Sequence, residues 1–183
     1  MKKIFLLFTA AAMSAGMVFA QDINQATENY NNGAMELNMG NNDAAITYFQ
    51  TALEMAEALG EEGAEVAANC RNIIPAIYLS SAKEQIKAEN YDAAVEQLNK
   101  AIEAAGKYEN TDVADDANAL MPQVYLSKGN GFLQAKNFPE AEVAYQKAIE
   151  LDATNGMAYF RLGQVLASQN KVAEAEAAYV QAA

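Results

Sequence analysis

The side chains that most often carry chemistry are scarce in this 183-residue chain. There is no histidine, and there is one cysteine, Cys70. Those two counts remove Ser-His-Asp and Cys-His catalysis, histidine-based zinc sites and paired-cysteine redox motifs. Carboxylates and amines remain. The candidate acidic cluster is Asp112, Asp115 and Asp116. Two acids a few ångström apart suit glycoside hydrolysis, but the chain has no tryptophan from which to build a sugar platform. The same acids lack the alternating carboxylates, turn glycine and closing glutamate of a calcium loop. They read instead as the charged opening of a helix, where anions suit the positive end of the helix dipole. No catalytic residue, metal ligand or cofactor is assigned, and the chain is read as a non-enzyme.

Charge excludes more. Lys plus Arg is 12 against 24 for Asp plus Glu, a formal net charge of -12. Such a chain has no basic surface with which to displace the counterions of nucleic acid, so no nucleic-acid partner is expected. Lys83 and Lys87, one helical turn apart, form the one basic spot in their region. They either grip an acidic ligand or pair with neighbours such as Glu84 and Glu89, and pairing is the commoner fate of exposed lysines.

The N-terminus reads as an address. Lys2 and Lys3 precede the apolar run Ile4–Ala12, and Val18-Phe19-Ala20 offers small residues where a signal peptidase reads. Residues 1–20 are therefore expected to be a cleaved signal peptide. The stretch Ile4–Ala20 is too short, and too broken by Thr9, Ser14 and Gly16, for a membrane anchor. The mature chain would start at Gln21, with 10 basic against 24 acidic residues, in the periplasm or outside the cell. In an oxidising compartment a lone Cys70 forms no internal disulfide, and its setting, AANCRNII, suits a small buried thiol.

What positions everything else is a repeat. The composition favours helices, with abundant Ala, Glu, Gln and Asn and three prolines. Tyr159-x2-Leu162-Gly163-x2-Leu166 is followed by Ala175-x3-Tyr179-x2-Ala182. The same spacing starts 34 residues earlier at Tyr125, with Gly129 and then Ala141-x3-Tyr145-x2-Ala148. It starts another 47 residues back at Tyr78, with Ala82 and then Ala94-x3-Leu98-x2-Ala101. A weaker copy, 49 residues earlier still, starts at Asn29, with Gly33 and then Ala45-x3-Phe49-x2-Ala52. Each copy describes two antiparallel helices. A small residue on the first lets the second approach, and the bulky residue four places after each alanine shares the alanine's face. Asn-containing turns such as 90–92 and 137–140 join the helices, with Pro139 tolerated in a first helical turn. Gly60 and Gly106 are expected to end the preceding helices.

The pattern resembles the tetratricopeptide repeat (TPR) family over residues 26–183, with copies at about 26–59, 62–107, 111–153 and 155–183. Tyr stands for the leading Trp in three copies and Asn29 in the other. Lys128 and Asn32 occupy slots the family usually gives to Leu, Glu36 and Gln85 stand at its second aromatic slot, and Ala153 stands where its closing Pro would be. About 13 extra residues precede the second and third motifs. They read as first-helix extensions kinked at Pro75 and Pro122, or as separate short helices ending before each proline.

The resemblance implies an all-α, right-handed superhelical solenoid of antiparallel helix pairs, about eight helices in all. It also implies a concave face that binds a peptide or protein segment. The family's groove positions fall on Tyr30, Leu37 and Asn38, then Leu79, Lys83, Ile86 and Lys87. In the last two copies they fall on Leu126, Asn130, Leu133 and Gln134, then Phe160 and Gln164, with Ala34 and Ser168 on the same faces. Leu79, Ile86, Leu126 and Leu133 read equally as core between repeats. The basic clamp by which some relatives capture chaperone C-termini is not matched. Leu79 and Leu126 fill places where it would want Lys, and only Asn130 and Arg161 resemble parts of it. Finally, no further helix follows to cover Ala175, Ala178, Tyr179 and Ala182. Either the sequence is a piece of a longer protein, the favoured reading, or that face meets a partner, another copy included. The leading expectation is a non-catalytic adaptor of the cell envelope. The alternative is a self-assembling repeat protein that oligomerises through its last helix.

Overall fold

The computed structural model describes residues 23–183, so the expected signal peptide at 1–20 lies outside the described residues. Among the described residues there are eight α-helices and no strand. They are α1 (23–38), α2 (Asn42–Ala58), α3 (Ala64–Lys87), α4 (Tyr91–Lys107), α5 (Thr111–Gln134), α6 (Phe138–Leu151), α7 (Gly156–Ser168) and α8 (Val172–Gln181). The chain divides into two compact units whose boundary falls inside α3, between Ile77 and Tyr78.

Every first-to-second helix turn has three residues and one geometry. Gly40, Glu89, Lys136 and Asn170 take the left-handed conformation, with φ of 81°, 59°, 57° and 62°. The N–H of the next residue then bonds a carbonyl five residues back, as from Asn90 to Gln85 (2.9 Å) and from Asn137 to Phe132 (2.8 Å). That is the Schellman ending of one helix, and the same residue is the N-cap of the next. The caps differ from expectation in one respect. The Asn90 and Asn137 side chains make no N-cap bond. Instead the amides of Asn41 and Asn90 donate back to Glu36 Oε2 (2.7 Å) and Gln85 Oε1 (3.0 Å). The two polar residues at the family's aromatic slot thus clasp the turn that follows them. Asn110 and Asn155 do cap by side chain, accepting from Val113 N (3.2 Å) and Ala158 N (3.1 Å).

In the first unit, Ala26, Ala45, Phe49, Ala52, Ala56 and Cys70 are fully buried. Phe49 meets Tyr30 edge-on at 5.3 Å, and a Cβ built on Gly33 would sit 3.0 Å from the Phe49 ring. Gly63 is tighter. A Cβ there would lie 2.0 Å from the Ala56 carbonyl oxygen, so α3 can begin against the end of α2 only with glycine. Gly60, at φ +62°, ends α2 as expected. Gly106 does not end α4, which continues through Lys107. The left-handed position falls on Glu109 instead, because the helix keeps its bonds as far as Tyr108 N–H to Ala104 O.

In the second unit, Leu79 and Ala82 of α3, Ala94, Leu98 and Ala101 of α4, and Ala117, Met121 and Val124 of α5 form one core. Ala141 and Tyr145 of α6, Leu162, Val165 and Leu166 of α7, and Ala175 and Ala178 of α8 form another. The close approaches read from the sequence are present. A Cβ on Gly129 would meet the Tyr145 ring at 2.5 Å, and one on Gly163 the Tyr179 ring at 2.6 Å. Both prolines lie buried inside single helices of 24 residues, α3 and α5, which makes the extra residues first-helix extensions rather than separate helices. The stripe expected to lie open on α8 is largely covered. Ala175 and Ala178 are buried against α7, and Tyr179 packs on Gly163 and Phe160 (5.8 Å between rings). The helix's exposed large apolar residues are Val172 and Val180.

Candidate functional site

The sequence-derived groove residues lie on first helices. Tyr30, Leu37 and Asn38 belong to the first unit, on α1, where Tyr30 and Leu37 are half-buried and Asn38 is exposed. The others belong to the second unit. Leu79 is 6 % exposed inside a core and has little surface to offer a partner. Ile86, Leu126 and Leu133 are half-buried and pack against the cores. Lys83, Lys87, Gln134 and Phe160 are exposed, and Asn130 and Gln164 are half-buried. Lys83 pairs with Asp116 on α5 at 3.4 Å, not with its sequence neighbour Glu84. Helical neighbours in adjacent repeats are closer in space than the sequence spacing suggests.

α5 and α7 are in contact, and a polar network sits where α5, α6 and α7 meet. The Tyr145 hydroxyl donates to Asn130 Oδ1 at 2.8 Å, which commits one end of a groove residue. Burial pushes the Tyr145 phenol up to about 12, with the nearby Arg161 charge pulling the other way. The Arg161 guanidinium donates to Gln164 Oε1 at 3.0 Å, while its buried Nε finds no acceptor among the described residues. Tyr145 was legible as a core position, but its bond to Asn130 was not, because the two lie on different helices. A second cluster, Glu142, Gln169 and Lys171, joins α6 to the α7–α8 turn. Glu142 accepts from Lys171 at 2.8 and 3.0 Å and from Gln169 at 2.7 Å. Those bonds, Lys171 first, hold its carboxyl below the usual range against the opposing cost of burial.

No group of three or more Cys, Asp or Glu is arranged to hold a metal ion among the described residues. Among them, too, no helix is long and apolar enough to cross a membrane. Cys70 is fully buried, and burial raises its thiol to about 11.

Family comparison agrees with the geometry. Two tetratricopeptide repeat models match the chain, one over residues 126–183 and the other over 29–59 and 75–108. The chain belongs to the tetratricopeptide repeat family. Among solved structures it is similar to MamA, at 17% identity and a TM-score of 0.38, covering 82% of this chain and 91% of MamA. It is also similar to PilF of Pseudomonas aeruginosa, at 14% identity and a TM-score of 0.37, covering 89% of this chain and 78% of PilF. The apo form of RapI shares 18% identity at a TM-score of 0.37, and there the chain spans only 42% of the larger protein. No curated protein sequence matches the chain. Tetratricopeptide repeat proteins are in general non-catalytic, and this chain's general class is the protein–protein interaction scaffold.

Proposed function

We propose that this tetratricopeptide repeat chain is an exported adaptor of the cell envelope. It holds a peptide or protein segment against the first helices of its second unit, at Lys83, Ile86, Lys87, Leu126, Asn130, Leu133, Gln134, Phe160 and Gln164. Tyr30, Leu37 and Asn38 occupy the same register on α1. The observation that carries the reading is Phe160. This aromatic ring is 42 % exposed, yet braced from behind by Tyr179, with Gln164 one turn further along α7. A rigid exposed ring beside an amide offers apolar contact and hydrogen bonding at little entropic cost. Export is inferred from Lys2, Lys3 and the apolar run that follows them.

The test is cross-linking capture from an envelope extract with the intact protein and with a Phe160→Ala/Gln164→Ala variant of unchanged helical content. A partner captured by the first and lost by the second is expected. Equal capture by both would refute binding on this face. Mass spectrometry of the exported protein should find Gln21 at its N-terminus, and a retained leader would refute cleavage. A self-assembling reading is favoured by one observation, the exposure of Val172 (63 %) and Val180 (72 %) on α8. A concentration-dependent mass that Val180→Glu abolishes would replace the adaptor reading with that one.

A further inference from the structure

Lys128 stands where the family usually has leucine. Its side chain is only 24 % exposed, and its ammonium pairs with Asp92 and lies 5.8 Å from the centre of the Phe132 ring. Around it the surface is hollow. A pocket of about 630 Å³ is lined by Tyr125, Lys128, Phe132, Pro139, Val143 and Lys147, among others. A second, of about 670 Å³, holds Tyr91 and Asp92 and shares Lys128 and Phe132 with the first. Tyr125, Lys128 and Phe132 share one stripe of α5, on the side away from Leu126, Asn130 and Leu133, so this pocket is distinct from the proposed groove. Its volume lies in the range of small-molecule sites.

Three features set the ligand's chemistry. The walls offer apolar contact from two rings, a proline and Val143, which is 66 % exposed. The charges lining the first pocket, Lys128 and Lys147 against Glu140 and Glu150, cancel, in a chain of net charge -12. An anion meets less repulsion there than over an acidic surface of this kind elsewhere. Lys147 pairs with Glu150 on its own helix at 2.8 Å, whereas Lys128 reaches across to Asp92, whose side chain is 86 % exposed. An exposed carboxylate is a weakly held counter-ion that solvent readily takes back.

We propose that this pocket binds a small apolar carboxylate, its body against Tyr125, Phe132 and Val143 and its acid group replacing Asp92 on Lys128. The proposal does not rest on the adaptor reading. The test titrates the intact protein with 1-naphthoate, and with 1-naphthalenemethanol as a neutral control, by calorimetry and amide NMR. Saturable one-to-one binding of naphthoate is expected, with shifts centred on residues 125, 128, 132 and 143. The neutral control should bind at least five-fold more weakly, and Lys128→Met should erase that difference. Asp92→Asn, at an exposed position, should tighten naphthoate at least three-fold by freeing the ammonium. A lysine there only to hold α4 and α5 together would give no such gain. The proposal is overturned by absence of saturation at millimolar naphthoate, by shifts centred elsewhere, by equal binding of the neutral control, or by unchanged or weaker binding to Asp92→Asn.

Discussion

Gly129 and Gly131 are two residues apart in α5, and adding one methyl group to each should have opposite effects. In both, alanine gains about 0.8–1 kcal/mol of helix propensity over glycine. At Gly131 the new Cβ meets nothing within 4 Å, so that gain stands and Gly131→Ala should be stabilising. At Gly129 the Cβ would fall 2.5 Å from Tyr145 Cε1 and 2.9 Å from Cζ. The Tyr145 ring is fully buried and tied to Asn130 at 2.8 Å, so it has no free direction in which to swing. Overpacking of this kind costs about 1–3 kcal/mol, and losing the Asn130 bond adds about 1 kcal/mol. The propensity gain cancels between the two, so Gly129→Ala should come out about 2–4 kcal/mol less stable than Gly131→Ala, by urea unfolding followed by far-ultraviolet circular dichroism. Combining Gly129→Ala with Tyr145→Leu should shrink the cost of the first change, since the second removes the atoms that collide. If Gly129→Ala is as stable as Gly131→Ala, the close approach of α5 and α6 is not what requires glycine, and the packing argument fails.

Other outcomes are expected. Lys136, at φ +57°, carries a Cβ where glycine has none, and Lys136→Gly should stabilise the fold by about 0.5 kcal/mol after the larger unfolded-state entropy is deducted, seen as a higher thermal midpoint. Glu142 has its carboxyl lowered in the folded state, so its contribution is complete above the ordinary carboxylate range and disappears as pH falls through the folded value. A urea midpoint measured from pH 6 to pH 3 should thus fall less steeply for Glu142→Gln than for the parent, and parallel curves would refute that linkage. The Cys70 thiol, pushed up to about 11 and buried, should resist a disulfide reagent at pH 8 until the chain unfolds. Fast labelling of the folded protein would show that its surroundings open locally.

Spacing carried most of the fold to the surface of the sequence. The Gly33–Phe49, Gly129–Tyr145 and Gly163–Tyr179 contacts follow from a small residue on one helix and an aromatic at a fixed distance on the next, which is local information. Gly106 does not mark the end of α4, because glycine only permits a left-handed residue and does not require one. The helix runs on through Lys107, and Glu109, three residues after Gly106, takes that conformation. Lys83 pairs not with a sequence neighbour but with Asp116, which lies 33 residues away on a different helix. Four expected groove positions, Leu79, Ile86, Leu126 and Leu133, are ambiguous for a related reason. One residue of rotation separates a side chain that faces a partner from one that faces the core, and Leu79 falls on the core side. The hollow beside Lys128 was foreshadowed only by a charged residue in a slot meant for leucine.

The three-residue turns bear on how such a chain can change length. In each, one residue closes the helix before it and opens the helix after it, so every position already has an assigned backbone conformation. An added residue would disrupt two helix ends at once. The junctions between pairs are less uniform: a 3₁₀ turn at Gly60–Gly63, a left-handed residue at Glu109, and a side-chain-bonded bend at Asp152–Thr154. The spacings of 34, 47 and 49 residues between copies accordingly differ through longer first helices that begin at those junctions, while the turn inside each pair keeps its length. The hairpin is the piece that is copied whole, and the seam between hairpins is where the protein can grow, accept a tag or be reopened as new termini.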